Sequence, residues 1–340
     1  MMKKNILFIN GVPDDQRAFV YEIDKNGVYK WQSIGSSNIG SFLKNDLFNR
    51  SSILLDTTED QELPRIMVSA IFNEISDADT HKITLKKADD FYKSISDKVP
   101  FFNPPANVMN TTRDNIYRLL QGVDKLHVPK TVKIQPKSPS DIYDTVEKEH
   151  FEFPVIFRQA GDHGGISTVR VDDKTEQFYA FPLDGRDYYL TQFVDYSDNA
   201  GVYTKYRLVV VDGEVYIRHV IFSDSWVIHS KSREYMEKNK KYQSQEEKIL
   251  KSFNVEIKPK IKDVINEMYK KLKLDYFGVD CYIDKDMNIL VFEINASMGI
   301  LLQTKGYIFK DCIETIRQAL IKMILEKNSS KDFLRNNVTV

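Results

Sequence analysis

The spacing of apolar positions changes repeatedly along the chain, and each change marks an element. Ile6–Ile9, Ser52–Leu55 and Ile66–Phe72 are short apolar runs rich in β-branched residues, which predicts buried strands. Leu85, Ala88, Phe91, Tyr92 and Ile95 then recur at helical spacing. The stretch from Val99 to Pro105 carries Pro100, Pro104 and Pro105 and breaks structure, so a domain boundary is expected there. A helix is predicted from Thr111 to about Leu120, a strand ending at Ile134 and a helix starting near Ser140. Strands follow at Val155–Arg158, Thr168–Val171 and Tyr188–Val194. Lys205–Val211 and Glu214–Phe222 flank Asp212-Gly213, a favoured two-residue hairpin turn. A charged helix over about Arg233–Phe253 is expected next. It precedes a helical stripe of Ile261, Val264, Ile265, Met268 and Leu272. A second hairpin joins Gly278–Ile283 to Ile289–Ile294, and Phe309, Cys312, Ile316, Leu320 and Ile324 mark a final amphipathic helix.

This order predicts an α/β protein. Its expected divisions are an N-terminal α/β domain over 1–107, a central subdomain over 108–190, a C-terminal subdomain over 191–328 and a tail over 329–340.

Composition narrows the partners. Across 340 residues, 48 Lys and Arg balance 49 Asp and Glu. The net charge of −1 gives no global attraction to nucleic acid or to an anionic membrane. No run reaches the roughly 18 apolar residues of a membrane helix, and the Met-Met-Lys-Lys start is too short for a signal sequence. Cys281 and Cys312 sit in apolar patterns and read as reduced core residues, so a cytoplasmic setting is expected.

Strand parity then sorts the two hairpins, because residues two apart share a face. Closing the first at Asp212-Gly213 sets Arg207 opposite Arg218 and puts Lys205, Arg207 and Arg218 on one face. The same parity sends His219 to the apolar face. Opposed like charges destabilise a sheet unless an anion lies between them, which favours a bound phosphate or carboxylate. Solvated cations paired with acidic neighbours are the competing reading. In the second hairpin a four-residue loop, Lys285–Asn288, sets Asp280 opposite Glu293, with Asn295 on the same face. Two carboxylates and an amide oxygen suit Mg²⁺, which keeps waters and takes further ligands from phosphates; carboxylates facing solvent would show the same pattern. Anion and metal sites together point to phosphate chemistry.

Between them lies "FPVIFRQAGDHGG", a strand ending at Arg158 followed by a loop in which Gly161, Gly164 and Gly165 permit close backbone approach to phosphate oxygens. It is neither a Walker A loop nor a dinucleotide turn.

Four segments in this order over about 99–299 resemble the ATP-grasp superfamily, which includes D-alanine–D-alanine ligases, glutathione synthetases and ribosomal-protein glutamate ligases. They are "FFNPPANVMNTTRDNIYRLLQ…VPKT", "FPVIFRQAGDHGG", "YYLTQFVDYSD" and "KYRLVVVDGEVYIRH…YFGVDCYIDKDMNILVFEINASMG". The resemblance implies an N-terminal domain followed by two α+β subdomains clasping ATP. It implies that Arg158 holds nucleotide phosphates, with Arg113 as a second nucleotide cation and His163, Gly164 and Gly165 in the flexible loop. Gln192 and Val194 would meet adenine and Asp195 the ribose. Asp280, Glu293 and Asn295 would bind Mg²⁺, with two ions expected. Arg207, with Lys205 and Arg218 beside it, would stabilise the transferring phosphoryl group. The family usually has lysine at the positions of Arg158 and Arg113, and serines where this loop has Asp162-His163. Trp226, His229 and Arg233 are candidates for a substrate pocket.

The implied activity is ligation: a carboxylate of a small molecule or peptide is activated as an acyl phosphate and joined to an amine. Family members are often dimers, and the sequence leaves the oligomeric state open, with a homodimer among the options. A kinase of the same fold, or a nucleotide-binding module without catalysis, would satisfy the same residues.

Overall fold

The computed structural model describes residues 3–23, 25, 27, 29–32, 35–43, 47–62, 65–162, 165, 167–174, 178, 181–300, 310–329 and 338–339. The N-terminal unit contains β1 (Lys4–Gly11), β2 (Phe19–Ile23), β3 (Tyr29–Gln32), α1 (Ile39–Phe42), β4 (Phe48–Leu55), β5 (Met67–Val68), β6 (Ala70–Asn73), α2 (Lys82–Ile95) and β7 (Phe101–Phe102). Its parallel sheet has the order β4-β1-β6-β7. Ile6, Leu7, Phe8 and Ile9 are all buried, which fits a strand covered on both faces and accounts for an apolar run without alternation.

After α3 (Pro105–Met109), α4 (Arg113–Leu120) and β8 (Leu126–His127) comes a lid: β9 (Thr131–Ile134), α5 (Pro139–Lys148), β10 (Val155–Gln159), β11 (Val169–Val171) and β12 (Tyr188–Gln192). Its antiparallel sheet runs β11-β10-β12-β9 and packs its own small core, in which Phe157 stacks on Tyr188. The third part comprises β13 (Tyr203–Val211), β14 (Glu214–Ser223), α6 (Arg233–Lys238), α7 (Lys240–Glu256), α8 (Lys258–Leu272), β15 (Tyr276–Ile283), β16 (Ile289–Ala296) and α9 (Lys310–Ser329), with a short β17 (Val338–Thr339) against β5. Its sheet has the order β14-β13-β15-β16-β8.

One expectation changes in detail. The single charged helix over 233–253 is two helices, broken at Asn239, where the backbone leaves helical geometry and the side-chain amide donates to Tyr235 O (2.8 Å) before α7 begins. The proline-rich stretch after Val99 is a seam where two units share a core. Ile6, Phe8 and Phe72 cluster with Val209, Tyr276 and Ile316. Asn103, at φ +54°, donates to Tyr276 O (2.7 Å), while its Oδ1 accepts from Tyr276 N (2.9 Å). The hairpin turn at Asp212-Gly213 has positive φ at both residues, as a type I′ turn requires. Among the described residues no helix is long and apolar enough to cross a membrane.

Candidate functional site

A cavity of about 810 Å³ lies where the three sheets meet. β13, β15 and β16 supply its charged floor, β10 and the following glycine loop its roof, and the segment after β6 one side wall.

The floor depends on two β-bulges that strand parity alone does not reveal. In β13–β14 the pairing slips between Arg207 and Leu208, so Arg207 faces His219 rather than Arg218. A bulge puts two residues opposite one and re-aims side chains beyond it. Two expectations are thereby corrected: His219 lines the cavity, and Arg218 does not. Arg218 is buried instead, and its charge acts on the Cys312 thiol of α9. Burial holds the His219 imidazole well below its usual range, and the guanidinium charges of Arg207, Arg233 and Arg218 add to this.

In β15–β16 the expected pairing of Asp280 with Glu293 is present, reached by a different route. The connection is one residue longer than the four-residue loop, with Ile283 opposite Ile289. A bulge between Asp280 and Cys281 cancels the difference. Asp284 organises that turn, accepting from the backbone N–H of Asp286 and Asn288, both at 2.8 Å.

Charge is arranged in alternating layers. Arg207 forks onto Asp280, with Nε to Oδ1 at 2.6 Å and an Nη to Oδ2 at 2.7 Å. Lys205 adds a contact to Asp280 Oδ2 at 3.2 Å and donates to Ile228 O at 2.7 Å. Burial opposes ionisation of Asp280, but Arg207 and Lys205 outweigh it and hold the carboxyl well below its ordinary range. The same pairing raises Arg207 against the effect of burial. Arg113, at the start of α4, bonds Glu293 Oε1 at 2.5 Å and Phe292 O at 2.8 Å. Asn295 also faces the cavity. Among the described residues no group of three or more His, Cys, Asp and Glu is placed to hold a metal ion; two carboxylates with Asn295 as a third, amide donor is the arrangement present.

Arg158, at the end of β10, reaches the cavity from above. Burial lowers its guanidinium to about 10, and the neighbouring charge of Arg113 acts in the same direction. It donates to Asp162 O, while its buried Nε has no hydrogen-bond partner among the described residues. Gly165 lines the roof beside Asp162; His163 and Gly164 lie outside the described residues.

The hinge residues divide. Val194 lines the cavity. Gln192 also borders it, but its side chain is engaged with the chain before β10: Oε1 accepts from Glu152 N (3.1 Å) and Nε2 donates to Glu152 O (2.7 Å). Asp195 is exposed, caps Ser197 N at 2.9 Å and borders a separate, shallower hollow. The geometry therefore does not bring Asp195 to the cavity wall. Trp226 and His229 line the wall. Arg233 does not; it forks onto the buried Glu246 at 2.6 and 3.0 Å.

Sequence reading missed Asp79, which lines the cavity from the loop after β6. Its Oδ1 accepts from Lys133 Nζ at 2.7 Å, and its two oxygens accept from Tyr189 Oη at 2.7 and 2.8 Å. The available signal was its place beyond the carboxyl end of a parallel strand, where α/β folds put ligands. Lys231 also lines the wall and was not singled out.

A family model described as a RimK-like ATP-grasp domain matches residues 115–320. The chain is similar in structure to the VanG D-Ala:D-Ser ligase of Enterococcus faecalis (TM-score 0.54, 13% identity, 95% of this chain and 99% of that one). It is also similar to the ATP-grasp ligase PsnB complexed with minimal precursor (TM-score 0.51, 16% identity, 95% and 100%). A third likeness is to carboxyaminoimidazole ribonucleotide synthase of Aspergillus clavatus complexed with ATP (TM-score 0.51, 12% identity, 95% and 77%). A search of curated protein sequences finds no match. At these identities the structural likenesses show the fold.

Proposed function

The chain belongs to the RimK-like ATP-grasp family, and on that premise we propose that it is an Mg-ATP-dependent ligase that activates a carboxylate and joins it to an amine. One observation carries the reading: Asp280 and Glu293 sit opposite each other on one cavity wall, each neutralised by an arginine that can turn to a phosphate. The oxygens of Asp280, Glu293 and Asn295 form a hard donor set of the kind Mg²⁺ takes while keeping waters. When bound, the metal would neutralise phosphate charge as the bond to the leaving oxygen lengthens.

The chain's own residues supply the rest. Arg158 and Arg113 both line the cavity, Arg113 bonded to Glu293, and would hold the phosphates in line. Val194, which lines the cavity, would offer backbone contact to a base. Arg207 would follow charge onto the transferring phosphoryl group. A substrate carboxylate oxygen attacks the γ-phosphorus, ADP leaves, and an acyl phosphate results. An amine nitrogen then attacks the acyl carbon, inorganic phosphate departs with the electron pair of the C–O bond, and the amine proton is lost. Gly161 and Gly165, which line the roof, would help exclude water that would hydrolyse the intermediate.

The test is ADP release and hydroxylamine trapping with Mg-ATP and pooled amino acids. A hydroxamate formed only with ATP supports acyl activation. ADP release with a phosphorylated hydroxyl product and no hydroxamate would replace the ligase reading with a kinase.

A further inference from the structure

The proposed chemistry gives no role to Asp79, yet this is the most heavily engaged acid at the seam between the N-terminal unit and the lid. Its three contacts go to two residues of the lid sheet, Lys133 on β9 and Tyr189 on β12, which are register partners. The Lys133 ammonium also lies 5.2 Å from the Tyr189 ring centroid, so the pair converges on the carboxylate as one donor unit. Tyr189 is almost wholly buried (1% exposed), and among the described residues its hydroxyl donates only to Asp79. Two neighbouring contacts extend the seam. Lys82 Nζ lies 3.2 Å from Asp187 Oδ2. Gly161, at φ +79°, passes so close to Thr80 that a Cβ there would sit 2.4 Å from Thr80 Cγ2.

We propose that Asp79 is a positioning residue, a latch that acts through Tyr189 and Lys133 to hold the lid closed over the nucleotide against the N-terminal wall. The proposal rests on the reading that the cavity takes Mg-ATP. Arg158 stands on the β-strand next to Tyr189, as its register partner, and Asp79 contributes to the field at its guanidinium. Fixing Tyr189 therefore fixes the strand that presents the phosphate-binding cation. Asp79 also fronts the cavity, so one carboxylate ties the N-terminal wall to the lid. A seam built only for stability could use apolar contacts; hydrogen bonds to a charged group are directional and hold one lid angle.

The experiment follows Mg-dependent binding and release of a fluorescent N-methylanthraniloyl ATP by stopped flow in the wild type, Asp79→Asn, Tyr189→Phe and the double variant. Breaking a hydrogen bond to a charged group is expected to speed release about 10-fold in each single variant. The double variant should fall short of the sum of the two single effects, because both weaken the shared Asp79–Tyr189 contact, and should exceed Tyr189→Phe by the Lys133–Asp79 pair that only Asp79→Asn removes. Tyr189→Phe deletes only a hydroxyl, so its nucleotide-free thermal midpoint should drop by no more than about 2–4 °C. Unchanged release in both single variants overturns the latch, as do additive effects that track loss of nucleotide-free stability. Failure of the wild type to bind the analogue overturns the nucleotide reading itself, a result distinct from binding with unaltered release.

Discussion

Arg207 and Asp280 form a two-point ion pair across adjacent strands, with register and side-chain direction set so that both face the cavity floor. The Asp280 side chain is only 5% exposed, so its charge depends on its partners. Arg207→Met would leave Lys205 alone to compensate it. Removing one partner of a buried pair typically costs about 3–5 kcal/mol, and the remaining lysine should hold the loss to about 2–3 kcal/mol. Because Asp280 titrates well below an ordinary carboxyl, its stabilising contribution is present above the unfolded value and is lost as pH falls towards the folded one. Arg207→Met should therefore narrow the acid-side stability difference between pH 5 and pH 2, measured by urea unfolding at a series of pH values.

Glu293 tests the metal reading with less structural risk. Its side chain is 29% exposed, against 5% for Asp280, and Arg113 keeps its bond to Phe292 O when the carboxylate is gone. Glu293→Gln should lower Mg-dependent hydroxamate formation at least about 100-fold, as loss of an electrostatic contact to transferring charge commonly does. Its thermal midpoint should remain near that of the wild type. A drop in stability matching that of a core variant such as Phe72→Ala, for which about 3–5 kcal/mol is expected, would assign Glu293 to the fold instead.

Much of the site is legible in sequence because a strand's period of two is a local rule. Lys205 and Arg207 share a face for that reason, and so do Glu293 and Asn295. What sequence does not show is where a strand takes an extra residue. Both bulges interrupt that period, and one of them moves His219 to the wall in place of Arg218. Asp79 was hidden for another reason: its partners are 54 and 110 residues away, so only the closed chain shows them. The long charged helix was legible in its polarity but not in its break at Asn239, where the backbone leaves helical geometry.

The exchange of Arg218 for His219 is itself testable. Arg218→Met should alter the thermal midpoint while leaving the KM for ATP within about twofold, since packing change without substrate contact leaves transition-state binding intact. His219→Ala should do the reverse, changing turnover with little change in midpoint. Steady-state kinetics and thermal unfolding of the two variants side by side would show whether the bulge sets the cavity wall.

Arg158 uses one Nη to donate to Asp162 O at the base of the glycine loop, and its buried Nε has no hydrogen-bond partner among the described residues. Lysine has a single charged point and would not hold the loop carbonyl and a phosphate oxygen at once as a guanidinium can. Arg158→Lys should keep a cation at the cavity roof yet lose the tie to the loop. The expected result is a KM for ATP raised about 10-fold with a smaller change in kcat, because a point charge still attracts phosphate but no longer fixes the loop.

Glu74 offers a pH dependence away from the cavity. It is 4% exposed and accepts from Gly40 N and from Asn10 Nδ2, both at 2.7 Å, yet burial outweighs these donors and raises its carboxyl from an ordinary 4.5 to about 7. The folded chain therefore holds a proton that the unfolded chain has released between those values. The contribution of Glu74 is fully present below pH 4.5 and declines as pH rises through about 7. At about 1.4 kcal/mol per pH unit the loss is on the order of 3 kcal/mol. Glu74→Gln keeps an acceptor for Gly40 N and cannot ionise, and Asn10 can turn its own oxygen to the new amide. Thermal midpoints from pH 5 to pH 8 should fall in the wild type and stay nearly level in the variant; parallel curves for the two would show that the acid-to-neutral slope arises elsewhere.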